Sequence, residues 1–180
     1  MGPRDYRITP SNQLVKDWLN GAGQTYRGGL NLVDVRDVAQ AHVAALTRGQ
    51  PGGRYLVGGE NIEVREIGRL LKGLTGTRPI HLGTGRGLTL WFAKWVERLC
   101  RLLGIKPPFT YDLVYEVVER YAYIDMGEAN EALGLSPRPA RDTLHDTIAW
   151  LLQQEQLKPA LADRLRGRFQ SASNPENTRS

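Results

Sequence analysis

Between Asn12 and Asn20, Leu14, Val15, Trp18 and Leu19 recur at spacings of three and four, which predicts a short helix with one apolar side. Gly21, Gly23, Gly28 and Gly29 break the chain next and leave Leu30–Val35, an apolar run with β-branched residues, as a buried strand. Val38, Ala41, His42, Ala45 and Leu46 then line one side of a helix over Asp37–Arg48, closed by Gly49, Pro51, Gly52 and Gly53. Tyr55, Leu56 and Val57, held between glycines, predict a second strand. Val64, Ile67, Leu70, Leu71 and Leu74 predict a helix over Glu63–Thr75 that Gly76 stops. Pro79–Leu82 reads as a third short strand.

The strongest periodicity runs from Leu88 to Leu103. Leu88, Trp91, Phe92, Trp95, Val96, Leu99, Leu102 and Leu103 share one side, with Lys94, Glu97, Arg98 and Arg101 opposite. Lys106, Pro107 and Pro108 interrupt the pattern. Two shorter helices follow, Asp112–Arg120 and Gly127–Leu133, separated by the aromatic segment Tyr121–Ile124. After the Ser136–Pro139 turn, Leu144, Ile148, Leu151 and Leu152 mark a last amphipathic helix over Arg141–Gln154. Beyond Gln156 the chain turns polar. The expected organisation is one α/β domain over 1–156 and a polar, flexible tail over 157–180.

The 180 residues are 41% hydrophobic and 24% charged, which excludes a collagen, a disordered tail, a disulfide-rich mini-protein and a membrane-spanning bundle. The single Cys100 has no partner in the chain, and no secretory leader pattern opens it, so a reducing, cytoplasmic setting is expected. Lys and Arg number 24 against 19 for Asp and Glu, a formal +5. The arginines are scattered from Arg4 to Arg179, clustering only at Arg164, Arg166 and Arg168, and no nucleic-acid-binding motif accompanies them. A basic solvated surface without a nucleic-acid partner is the reading. His81 and His145 have no acidic or Cys partner at ligand spacing, so no metal site is expected. His42 reads as a packed or capping side chain and Cys100 as a small core residue.

Three segments, LNLVDVRDVAQAHVAAL (Leu30–Leu46), RYLVGGENIEVREI (Arg54–Ile67) and YAYIDMGEANEALGLSPRP (Tyr121–Pro139), stand in the order and spacing of one family. In them the chain resembles the C-terminal half of extended short-chain dehydrogenases/reductases, the NAD-dependent epimerase/dehydratase family. Within it, the dihydroflavonol-reductase-like enzymes and hopanoid-associated sugar epimerases are nearest. Gly2, Pro3, Arg4 and Asp5 also resemble the family's Gly-Pro-Gly-Asp loop, so the likeness spans Gly2 to about Leu152.

The resemblance implies the C-terminal part of a Rossmann-type NAD(P)-binding fold: the last sheet strands, continuing into a mostly helical substrate-binding lobe. It implies NAD or NADP as cofactor and a small-molecule substrate, and it places Asn12, Tyr26, Tyr121, Tyr123 and Asp125 where relatives border the substrate. Packing roles compete with this: a helix cap for Asn12 and packed aromatics for the tyrosines. Where nucleotide-sugar members carry a phosphate-holding arginine, this chain has Leu30, which leans away from a UDP-sugar and toward a smaller or more apolar substrate. Asp34 and Asp37 read as strand-ending and helix-capping residues.

Two parts of the family's chemistry are missing from the sequence. A dinucleotide needs a Gly-rich turn between strand and helix, and the glycines Gly83, Gly85 and Gly87 do not have the required spacing. Family members also pair a Tyr with a Lys four residues later, whose ammonium lowers the phenol pKa from about 10. The five lysines here, Lys16, Lys72, Lys94, Lys106 and Lys158, follow Asn12, Gly68, Leu90, Leu102 and Gln154 at that distance. No catalytic, cofactor-binding or metal-binding residue is therefore assigned. The expectation is a chain inactive and cofactor-free alone, completed by a complementary N-terminal half or by self-association.

A rival reading, a non-catalytic binding or peripheral-membrane module, rests on the Leu88–Leu103 helix with its two tryptophans. Glu97 interrupts its positive side. Burial of the apolar side against the rest of the chain is the competing expectation.

Overall fold

A computed structural model describes residues 1–21, 24–77, 79–81, 85–105, 107 and 110–172. Thr9 is extended and Pro10 opens helix α1, Pro10–Leu19, two residues before the expected start at Asn12, because proline's fixed φ suits a first helical turn. Strand β1 is Gln24–Thr25 and β2 is Gly29–Leu32. Asp34 then caps α2, Val35–Arg48, its carboxylate accepting the Arg36 N–H at 2.8 Å. The strand expected to reach Val35 thus stops at Leu32, since the cap turns the chain into a helix.

Strand β3, Glu60–Glu63, runs without a loop into α3, Val64–Thr75, which Gly76 ends in the left-handed conformation at φ 73°. The chain continues through β4 (Ile80–His81), α4 (Arg86–Leu102), α5 (Tyr111–Val117) and β5 (Tyr121–Ala122). It ends with α6 (Gly127–Leu133), α7 (Ala140–Gln153) and α8 (Pro159–Ala172). β2 is the centre of a mixed sheet, antiparallel to β3 and parallel to β5, while β1 and β4 form a separate parallel pair. Leu82 of the expected third strand lies outside the described residues.

The strand expected at Tyr55–Val57 is a loop, and the β2 partner falls instead at Glu60–Glu63. A Cβ on Gly59 would collide with the Leu32 carbonyl oxygen, so the chain crosses close over β2 there and pairs only after the crossing. Only Ile62 of this strand is buried. A four-residue strand with one apolar side chain leaves almost no alternation to read.

The core gathers Val15, Trp18 and Leu19 of α1, Leu32 and Ile62 of the sheet, Ile67 and Leu71 of α3, and Leu144, Ile148 and Leu151 of α7. Each such side chain withdrawn from water contributes about 1.5–3 kcal/mol. Leu161, Ala162 and Leu165 of α8 belong to the same cluster, with Phe169 packed against it. From Pro159 the chain is therefore helical to Ala172 and docked through Phe169, where the sequence suggested a loose tail. Its apolar stripe is narrow and interleaved with Arg164, Arg166 and Arg168, which is why composition hid it. Residues 173–180 lie outside the described residues.

Helix α4 also differs from expectation. Thr89 and Ala93 are its buried residues, and Leu88, Trp91, Phe92, Trp95, Leu99 and Leu102 are exposed. The side that meets the protein is the small, partly polar one, and the apolar side faces outward.

Candidate functional site

The segment after α5 is fastened along β2. Gly29 and Leu30 pair with Tyr121 and Ala122, and the Gly29 N–H donates to the Arg120 carbonyl at 2.9 Å. Gly29 has no side chain because the Tyr123 ring occupies the space that a Cβ would fill. Two asparagines extend this fastening. Asn31 Nδ2 donates to Asn61 Oδ1 at 2.8 Å, and Asn61 in turn donates to the Ile124 carbonyl and accepts the Ile124 N–H, at 2.8 and 3.0 Å. The Asn61 side chain thus stands in for a strand neighbour where β5 has ended.

This brings Tyr121 and Tyr123 together on the surface, ring centroids 5.4 Å apart and nearly edge to face. Desolvation against the sheet, then the Glu63 carboxylate and the Tyr121 phenol, raise the Tyr123 phenol above its usual value. That shift is opposite to what a neighbouring lysine produces and favours the neutral phenol.

Asp125 follows at the start of α6, where its Oδ1 accepts the Gly127 N–H at 3.1 Å. It also borders a cleft of about 570 Å³ with Gln50, Arg54, Tyr55, Leu56 and Glu128. The Tyr55 hydroxyl accepts the Gln50 N–H at 2.8 Å and shapes this loop. Reading 55–57 as a strand conceals that Arg54 and Tyr55 flank Asp125; a signal lay in Pro51, Gly52 and Gly53, which favour a turn over a ladder.

Asn12 and Tyr26 stand apart from this aromatic and acidic surface in the contacts they make. Asn12 is 2% exposed and clamps the first segment, donating to the Gly2 carbonyl at 2.8 Å and accepting the Gly2 N–H at 3.3 Å. Tyr26 is half-buried against the core, and burial raises its phenol. Of the five residues singled out, Tyr121 and Tyr123 meet, Asp125 follows them along the chain, and the other two serve the framework.

The junction of β2 and α2 is held by charge. Arg36 donates to Asp34 through Nε at 2.9 Å and Nη2 at 2.6 Å, and Nη2 also reaches Asp146 at 2.7 Å. Asp37 accepts the Arg138 N–H at 2.8 Å and pairs with its guanidinium. Glu60 accepts the Ala140 N–H at 2.8 Å and so caps α7. Asp34 is the cap that its position suggested, whereas Asp37 ties α2 to a loop that sequence reasoning left unpaired.

No protein-family model matches the chain. It is 33% identical, over 83% of its length, to 45% of a Synechocystis protein whose name likens it to dihydroflavonol 4-reductase. The chain belongs to the extended short-chain dehydrogenases/reductases. A second relative of this family, named sterol demethylase protein B, from Methylococcus capsulatus, is 27% identical over 86% of the chain and 48% of its own length. In fold the chain follows a Pseudomonas aeruginosa nucleoside-diphosphate-sugar epimerase with a TM-score of 0.63, at 24% identity, over 88% of the chain and 47% of the epimerase. Other solved chains of this Rossmann-type fold hold NAD or NADPH. The chain spans about half the length of the curated relatives it matches, and it has the architecture of the family's C-terminal half.

A short-chain dehydrogenase/reductase grips its dinucleotide where a strand turns into a helix with free N–H groups. Three such junctions are described in full, and in each the first helical N–H is already bonded within the chain. At α2 the Val35 and Arg36 N–H groups go to the Met1 carbonyl and the Asp34 carboxylate; at α3 the Val64 N–H goes to the Gly28 carbonyl; at α6 Asp125 takes Gly127. An anionic Asp34 at the α2 terminus would also repel a pyrophosphate. The fourth junction, from β4 to α4, runs through 82–84 and with Gly83 lies outside the described residues. Among the described residues, no group of three or more His, Cys, Asp or Glu is placed to hold a metal ion.

Asp34 carries a pH signature. Burial pushes its carboxyl up, but the Arg36 side-chain and backbone donors and the Thr143 hydroxyl more than reverse this and hold it below the ordinary value. A depressed folded-state pKa stabilises the fold above the unfolded carboxyl value near 4, and this contribution disappears as pH falls through the folded value. Acidification below about pH 4 should therefore cost the wild type more stability than it costs Asp34→Asn. Urea titrations of both proteins at neutral and acidic pH measure the difference; equal losses would contradict it.

Proposed function

We propose that this chain supplies the substrate-binding half of an NAD(P)-dependent reductase or sugar epimerase/dehydratase and is inactive by itself. The observation that carries this reading is the match to about half of each relative, in a chain whose first helical N–H at each described strand-to-helix junction is already bonded internally. The dinucleotide grip and the Tyr–Lys couple would come from a complementary N-terminal half; self-association is the alternative partner. Tyr121, Tyr123 and Asp125, with Arg54 beside the cleft, form the proposed substrate-facing surface. Asn12 and Tyr26 position the segments behind it.

An apolar or small substrate suits this surface better than a nucleotide sugar. Leu30, at the place of the phosphate-holding arginine, packs against the core. Arg27, two residues before β2, faces Glu119 at 3.7 Å. The relative named for sterol demethylation points the same way. We place the protein in the cytoplasm; no helix among the described residues is long and apolar enough to cross a membrane.

Calorimetric titration of NAD(H) and NADP(H) into the chain, alone and mixed with a candidate first half, tests the proposal. No heat from the chain alone and saturable binding by the mixture are expected. Binding or turnover of NAD(P)H by the chain alone would overturn it.

A further inference from the structure

We infer that α4 is a membrane-surface helix that lies in the plane of an anionic lipid leaflet. Its main packing partner within the chain is α5, and it meets the protein through Thr89 and Ala93. On the outer side Trp91 is 59% and Trp95 56% exposed, in one line with Leu88, Leu99 and Leu102. The indoles lie 6.0 Å apart, and Leu103 and Ile105 prolong the exposed apolar strip past the helix end. An uncovered strip of this size on a water-facing helix is unfavourable at about 25 cal/mol per Å² of apolar surface.

Charge selects the occupant. Along the flank of the strip, Lys94, Arg98 and Arg101 are exposed. Glu97, the one acid in α4, is turned toward α5, where it accepts the Tyr111 N–H at 2.8 Å and an Arg101 Nη2 donor at 2.5 Å. The acid that interrupts the positive side in sequence is thus turned toward α5 in the fold, where it pairs with Arg101; Lys94 and Arg98 supply the exposed charge of the flank, with Asp112 across the groove. Tryptophans beside leucines, flanked by lysine and arginine on a helix too short and polar to cross a bilayer, match an interfacial helix. A protein groove would also cover the apolar strip, but it gives no account of the cationic flank.

Co-sedimentation of the full chain with phosphatidylcholine vesicles, with and without phosphatidylserine, is the test, read together with tryptophan emission. Binding to the phosphatidylserine vesicles with a blue shift, weakened by salt, is expected. Lys94→Gln and Arg98→Gln should each weaken it about fivefold. Trp91→Ala with Trp95→Ala should abolish it while leaving the circular dichroism spectrum unchanged, because both side chains are exposed. Equal binding to both vesicle types, or no binding, would overturn the inference. So would a dimer in sedimentation equilibrium that the tryptophan pair variant dissolves, since the strip would then belong to a second copy.

Discussion

Trp18→Ala is expected to remove about 3–5 kcal/mol of folding stability. Trp18 is 0% exposed and sits in the common core of α1, α3, α7 and α8. Truncation loses the transfer energy of the indole and leaves a cavity in a close-packed cluster whose other members sit on packed helices and strands. Domains are stable by only about 5–15 kcal/mol, so a loss of this size consumes a large share of the total. A fall in melting temperature of roughly 6–20 °C is the corresponding readout by circular dichroism. A drop of about a degree would show that α1 is peripheral to the cooperative unit. Trp91→Ala, in the same assay, should be silent because that ring is at the surface.

Arg138→Ala should cost about 2–3 kcal/mol, more than Asp37→Ala, although the two residues form one ion pair. The Asp37 side chain is 7% exposed and the Arg138 side chain 33%. Removing the arginine strands a buried carboxylate with the residue-138 N–H as its remaining donor from that loop. Removing the aspartate leaves a guanidinium that can turn to water. The doubly truncated chain should therefore be more stable than the sum of the two losses predicts, a coupling that a double-mutant cycle under urea denaturation measures directly. Additive losses, or equal single-site losses, would mean that the pair is held no better than a surface one.

Asp37 illustrates what was legible in advance and what was not. Its place just inside a helix start was readable from Asp34 and Asp37 preceding an apolar-periodic run. Its partner is 101 residues away, and no local pattern announces such a contact. The same holds for Glu60, which caps a helix beginning at Ala140. In the candidate site, the sequence pointed to Tyr121, Tyr123 and Asp125, and the fold keeps them on one stretch of surface. Asn12, placed near the substrate by the same family resemblance, is a clamp on Gly2. A polar residue at a helix start looks alike in sequence whether it faces a ligand or a neighbouring loop.

Local chemistry located α3 and α7, whose apolar residues recur with the 3.6-residue helical period, and Gly76 marks where α3 stops. The sequence also shows that none of these 180 residues is a Lys four places after a Tyr, because a spacing of four can be checked position by position. Tertiary structure decided the rest. Strand choice between Tyr55–Val57 and Glu60–Glu63 depended on the Gly59 crossing over Leu32, docking of α8 on a core supplied by three other helices, and the outward face of α4 on which neighbours α5 leaves free. Periodicity reports that a helix has an apolar side; what covers that side is a property of the surfaces around it, which are distant in the chain.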